Sequence, residues 1–251
     1  MALEEPERRA APKRAGRESE PSSFAARTVP NDALLRIAAF FALFLVFVGF
    51  PCLAIITALG GTFAESHRHG DEAYHKGDYK EAMRWYRTAA DEGDAIAQGN
   101  IGWLYQAGLG VPQDYEEAMR WYRMSVDNGS HEASRLIGGL YLDGLGVPRD
   151  YKEAMRWYRI AAEYGSAPAQ NQIGWLYQNG FGVERDYEEA MRWFRKAADH
   201  GVARAEAHIG EFYANGLGVP RDDATARYWF KRAAARRDVG AQKWLAQHGD
   251  D

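Results

Sequence analysis

The chain has 251 residues, 46% of them hydrophobic and 26% charged, with a formal net charge of −4. An acidic chain with no basic stripe is poorly matched to a phosphate backbone, which argues against nucleic acid as a main partner. The one cysteine, Cys52, excludes an intrachain disulfide and leaves the redox compartment unread.

Residues 1–32 mix Glu, Arg, Pro, Ser and Ala with almost no large apolar side chain. Such a segment buries too little surface to offset the entropy of ordering, so it is expected to be a disordered tail. Residues 33–63 are expected to form a transmembrane helix. Its core, Ile37 to Leu59, is 23 residues without a charge, 14 of them Leu, Ile, Val or Phe. As a helix it would reach about 35 Å, enough for a hydrocarbon layer of about 30 Å. Each of those side chains favours insertion by roughly 0.3–0.6 kcal/mol, and Pro51 is expected to kink the span without abolishing it. A buried helix of a soluble domain is the competing reading.

Arg8, Arg9, Lys13, Arg14, Arg17, Arg27 and Arg36 precede the span, against only Arg68 and Lys76 in the 20 residues after it. That bias favours a single-pass protein with a cytoplasmic N-terminus and a translocated C-terminal region. A bacterial inner membrane with a periplasmic domain fits, and an endoplasmic-reticulum lumenal domain would obey the same physics. Small residues around Thr62-Phe63-Ala64 offer cleavage as an alternative, which the long leader and long apolar run oppose.

From about residue 67 the chain repeats itself. Trp85, Trp121, Trp157, Trp193 and Trp229 recur every 36 residues, in step with Gly102, Gly138, Gly174 and Gly210 and with Tyr105, Tyr141, Tyr177 and Tyr213. A fixed period of this size marks a solenoid whose units bury their apolar faces only against neighbours. Within one unit, Ala97, Ile101, Leu104 and Tyr105 share one helical face. Gly108-Leu109-Gly110-Val111-Pro112 interrupts that helix, and Asp114 with Glu117 opens a second one as a capping box. The same device recurs at Asp78/Glu81, Asp150/Glu153 and Asp186/Glu189. Ala118, Trp121, Tyr122, Ser125 and Val126 form the expected buried stripe of the second helix, and Gly129 ends it.

The pattern Leu/Ile-Gly-x-x-Tyr, then Gly-x-Gly-Val-x-x-Asp-Tyr-x-x-Ala, then Trp-Tyr/Phe-x-x-Ala-Ala-x-x-Gly resembles the Sel-one-like repeat (SLR) family, a relative of the tetratricopeptide repeat. The resemblance covers about residues 67–248 and implies an all-α, right-handed solenoid of helix-turn-helix hairpins. Units are expected at 67–94, 95–130, 131–166, 167–202 and 203–238, with a capping helix at 240–248. The first unit lacks the Gly-x-Gly-Val loop. In the last, Asp223-Ala224-Thr225 stands where Tyr-x-Glu is expected, which should weaken its capping box.

No zinc-protease, nucleophile-elbow or phosphate-loop motif is present. The Gly-Leu-Gly-Val loops follow helices and not strands, so they are read as backbone geometry and not as dinucleotide sites. His67, His69 and His75 with Asp71 and Glu72 are the one ligand-like cluster, and a polar linker running into the first helix is the favoured reading of it. The expectation is of a non-enzyme without cofactor or metal.

Positions that vary between units on the first-helix face opposite the Ile-Leu-Tyr stripe are free to recognise a partner. They run Gly99/Arg135/Asn171/Ala207, Trp103/Gly139/Trp175/Glu211 and Gln106/Leu142/Gln178/Ala214. The resemblance implies that first helices line the concave surface. The candidate partner-binding residues are therefore Trp103, Gln106, Arg135, Asn171, Trp175, Gln178 and Glu211, although packing of the tryptophans between hairpins competes with that role. The expected function is a membrane-anchored scaffold for other proteins or peptide segments. The alternatives are an envelope hydrolase acting on cell-wall material and a secreted, cleaved binding protein.

Overall fold

A computed structural model of the protein describes residues 64–249. The expected tail (1–32) and transmembrane helix (33–63) lie outside the described residues, among which no helix is long and apolar enough to cross a membrane.

The described residues form eleven helices and no strand. They are α1 (64–75), α2 (Tyr79–Asp91), α3 (Ala95–Ala107), α4 (Tyr115–Asp127), α5 (Glu132–Asp143) and α6 (Tyr151–Glu163), followed by α7 (Ala167–Asn179), α8 (Tyr187–Asp199), α9 (Ala203–Asn215), α10 (Asp223–Ala235) and α11 (Val239–His248). From α3 onward, odd-numbered helices pack most extensively on the even-numbered helix that follows in the same hairpin, and less on the one before. Extensive packing is confined to helices consecutive in sequence, which makes the array quasi-one-dimensional.

The recurring glycines have two separate causes. Gly102, Gly138, Gly174 and Gly210 lie against the ring of Tyr122, Tyr158, Phe194 or Phe230 in the paired helix, and an added Cβ would sit within 3.0 Å of that ring. Absence of a side chain lets the aromatic lie flat on the backbone, and these rings are among the largest fully buried side chains. Burying each contributes about 1.5–3 kcal/mol. In the loops, Gly110, Gly146, Gly182 and Gly218 adopt positive φ. Each also presses on the start of the preceding unit's second helix; at Gly110 a Cβ would meet the Tyr79 backbone at 2.7 Å. The loop glycine is thus a contact between units, which accounts for a period longer than two helices need.

The second helix departs from the expected stripe. In α4, Ala118, Met119, Tyr122 and Ser125 are buried, whereas Trp121 and Val126 are half-buried. Trp121 packs on the cluster formed by α2 and α3, and Trp157, Trp193 and Trp229 repeat this on successive clusters. A helix that packs on its mate and on the first helix of the next unit, while its tryptophan reaches the cluster shared with the preceding unit, has more than one apolar face, and one stripe of 3.6 periodicity cannot represent them all.

The capping box is only half formed. Asp78, Asp114, Asp150 and Asp186 accept from the backbone N–H three residues on, at 2.9–3.1 Å. The reciprocal arm is missing because the N–H of Asp114 donates to the Tyr105 carbonyl at 3.0 Å, as do its counterparts in later units. Glu81, Glu117, Glu153 and Glu189 instead accept from Arg84, Arg120, Arg156 and Arg192. Nor is the last cap impaired. Asp222 accepts from the N–H groups of Ala224 and Thr225 at 3.0 Å and from the Thr225 hydroxyl at 2.6 Å. Arg87, Arg123, Arg159 and Arg195 donate to the hydroxyls of Tyr105, Tyr141, Tyr177 and Tyr213, tying each unit to the next. At the C-terminal end Trp244 stacks between Phe230 and His248, with centroids at 4.3 and 4.1 Å.

Candidate functional site

The variable positions fall on α3, α5, α7 and α9. Four of the seven candidates converge: Trp103, Gln106, Arg135 and Asn171 line one cavity of about 480 Å³, together with Gly139, Leu142 and Asp143. Trp103 also borders a larger cavity of about 670 Å³ with Ile96, His131 and Leu136, and a smaller one of about 260 Å³ with Tyr74 and Tyr86. Its indole is 40% exposed and donates its N–H to the Tyr74 hydroxyl at 3.1 Å.

The cavity walls are held by local bonds. Gln106 Oε1 accepts from the Tyr122 hydroxyl at 2.7 Å, which anchors the amide to the core ring beneath it. Arg135 donates through Nε to Glu132, while its two terminal nitrogens donate to nothing among the described residues. Burial pushes the Tyr158 phenol up to about 12 and that of Tyr122 further, against a smaller downward pull from the Arg135 charge. Asn171 is 8% exposed, donates from Nδ2 to Gln172 at 3.3 Å, and leaves its Oδ1 without a donor.

Trp175, Gln178 and Glu211 do not join this cavity. Trp175 is half-buried, lies 5.2 Å from the Phe181 ring and is shared by two core clusters. Gln178 has a buried Oε1 with no partner, and Glu211 reaches His208 at 3.2 Å. The two tryptophans at equivalent positions therefore differ: Trp103 is offered to solvent and Trp175 is largely packed. Leu136, Leu145, Pro168 and Val202 also line the groove. Leu145, Pro168 and Val202 are single apolar residues in or beside loops, which carry no periodic signal, and Leu136 lies inside α5 next to the core position Ile137.

The histidine cluster is spent on packing. His67 sets Nδ1 2.6 Å from Asp94 and Nε2 3.4 Å from Asp71, tying α1 to the turn before α3. His69 lies on the Trp85 ring at 4.8 Å. Among the described residues no group of three His, Cys, Asp or Glu side chains is placed to hold a metal ion. One feature carries no sequence signal at all. Glu206 in α9 is fully buried, 2.8 Å from Arg232 and 3.4 Å from Arg236 of the paired hairpin region. Arg232 in turn lies over the Trp229 ring at 4.7 Å.

Helical hairpins of fixed period, stacked in sequence order, define a helical-repeat solenoid. Five Sel1 repeats are recognised, at residues 57–94, 95–130, 131–166, 167–202 and 203–238. The chain belongs to the Sel1 repeat family. It is 39% identical to a Sel1 repeat protein from Oxalobacter formigenes, with a TM-score of 0.69 over 74% of this chain and 77% of that one. It is 34% identical to c5321, described as a protective antigen of uropathogenic Escherichia coli strains with an SLR fold, with a TM-score of 0.66 over 73% of this chain and 40% of that longer one. The immunity protein Pa5087 of Pseudomonas aeruginosa shares the fold at 21% identity and a TM-score of 0.50, over 68% of this chain and 67% of that one. No curated protein sequence matches the chain. Sel1 repeat proteins are generally protein-interaction scaffolds, mostly without catalytic activity.

Proposed function

We propose that the protein is a membrane-anchored scaffold that captures a partner protein or peptide segment in the groove over Trp103, Gln106, Arg135 and Asn171, with Trp175, Gln178 and Glu211 extending the same face. The observation that carries this reading is Trp103, a large apolar side chain left 40% exposed where three cavities meet. Tryptophan and arginine are the residue types most enriched at binding hot spots, and both stand here beside a ready-made recess. Anchoring rests on the uncharged run from Ile37 to Leu59 and on the basic residues before it.

The test is crosslinking capture from native membranes with the full-length protein and with Trp103→Ala combined with Trp175→Ala. Loss of a small, reproducible partner set from a variant that retains its helical content supports the groove. Unchanged capture refutes it. Alkaline carbonate extraction tests the anchor: release of the intact chain into the supernatant would overturn it.

A further inference from the structure

Along this face, in chain order, the equivalent positions carry Trp103, Gly139, Trp175 and Glu211. Gly139 is unlike its neighbour Gly138. A Cβ at Gly138 would collide with the Tyr158 ring at 2.8 Å, whereas a Cβ at Gly139 would meet only the Tyr158 hydroxyl, at 3.9 Å. Packing therefore requires a glycine at 138 and not at 139. The missing side chain coincides with the cavity of about 480 Å³, whose wall is Trp103. Between Trp103 and Trp175 the array carries no side chain at this position, and the space stays open.

The ends of this gap are charged. Arg135, Gly139 and Asp143 are spaced i, i+4 and i+8 on α5 and all line the cavity. Arg135 and Asp143 are thus about 12 Å apart along the helix, with the gap midway. The terminal nitrogens of Arg135 donate to nothing among the described residues, and the Asp143 carboxylate is exposed, with no hydrogen bond or ion pair there. An extended peptide presents residues i, i+2 and i+4 on one face over about 13 Å. We infer that the groove reads an extended peptide of the form acidic–x–aromatic–x–basic: the acid on Arg135, the aromatic ring in the gap over Gly139 against Trp103, and the base on Asp143. This rests on the scaffold reading above and names its ligand class.

The probe is fluorescently labelled acetyl-Glu-Ala-Phe-Ala-Lys-amide, titrated into the full-length protein in detergent micelles at low salt. Replacing its Phe by Ala is expected to weaken binding about tenfold or more. Replacing its Glu by Lys is expected to weaken it about threefold, as suits a half-exposed ion pair. Gly139→Trp fills the gap with the residue found at positions 103 and 175 and should abolish binding while leaving thermal unfolding in place. Arg135→Gln, which needs no added volume, should erase the discrimination between the Glu and Lys peptides. Equal binding of the Phe and Ala peptides, or full binding by a folded Gly139→Trp protein, would overturn the inference. A Gly139→Trp protein that still captures the partners lost from the Trp103→Ala/Trp175→Ala variant would sink it while leaving the scaffold reading intact.

Discussion

Two adjacent glycines of α5 should respond to the same substitution with opposite signs. At Gly138 an added Cβ would lie 2.8 Å from Cδ1 and Cε1 of Tyr158, a ring that is itself buried and cannot retreat. Overpacking of this kind costs about 1–3 kcal/mol. Replacing a mid-helix glycine by alanine returns about 1 kcal/mol through helix propensity. The net expectation for Gly138→Ala is a loss of up to about 2 kcal/mol. At Gly139 the nearest non-local atom stands at 3.9 Å, so only the propensity term acts and Gly139→Ala gains about 1 kcal/mol. Urea unfolding followed by circular dichroism reads both, and the slope must be checked alongside the midpoint because repeat arrays can lose cooperativity. If both variants shift the same way, glycine in this helix is not set by the ring beneath it, and the account of the 36-residue glycine period fails with it.

Arg237 has a φ of 67°, where the equivalent positions carry Gly93, Gly129, Gly165 and Gly201. Arg237→Gly is expected to stabilise the C-terminal end by about 1 kcal/mol, read as slower hydrogen exchange in α10 and α11; faster exchange would refute it. Alkaline pH supplies a second check. Burial raises the Tyr158 phenol to about 12 and those of Tyr86 and Tyr122 further, the last two being held neutral in the folded state. Groups whose folded pKa is raised contribute stability that is complete below pH 10 and is lost as pH climbs towards 12, by roughly 2 kcal/mol for Tyr158. Tyr158→Phe should flatten that loss between pH 10 and pH 11.5 in urea titrations, and an unchanged slope would count against it. Finally, Trp175→Ala should cost about 2–3 kcal/mol and Trp103→Ala about 1 kcal/mol, because only the former is packed into two clusters. Equal midpoint shifts would contradict the division of labour drawn between them.

The hairpins themselves could be read directly. Asp114 opening a helix and Gly108 closing one are local events, decided within four residues of backbone, and a period of 36 copies them along the chain. Pairings made across units could not be read the same way. Glu117 sits where a capping box would use it, yet the Asp114 N–H is already taken by the Tyr105 carbonyl, and the glutamate turns to Arg120. Trp121 sits on the periodic stripe but faces the preceding unit.

The candidate groove divides in the same manner. Variation among repeats picked out one face of the first helices, and Trp103, Gln106, Arg135 and Asn171 do meet there. The repeat pattern could not separate Trp103 from Trp175, because what differs is the neighbour: Phe181 stands beside Trp175, where the unit of Trp103 carries Leu109. Glu206 was invisible for a similar reason, since its partners Arg232 and Arg236 come from a region 26 and 30 residues away.

By itself, then, the sequence determined the repeat, the helix starts and stops, the loops and the face on which the first helices vary, all consequences of short-range sterics and of a spacing that recurs. Tertiary structure alone decided which aromatic is buried, which carboxylate is paired and where an omitted side chain leaves room, because those depend on the particular atoms that the neighbouring unit brings into contact.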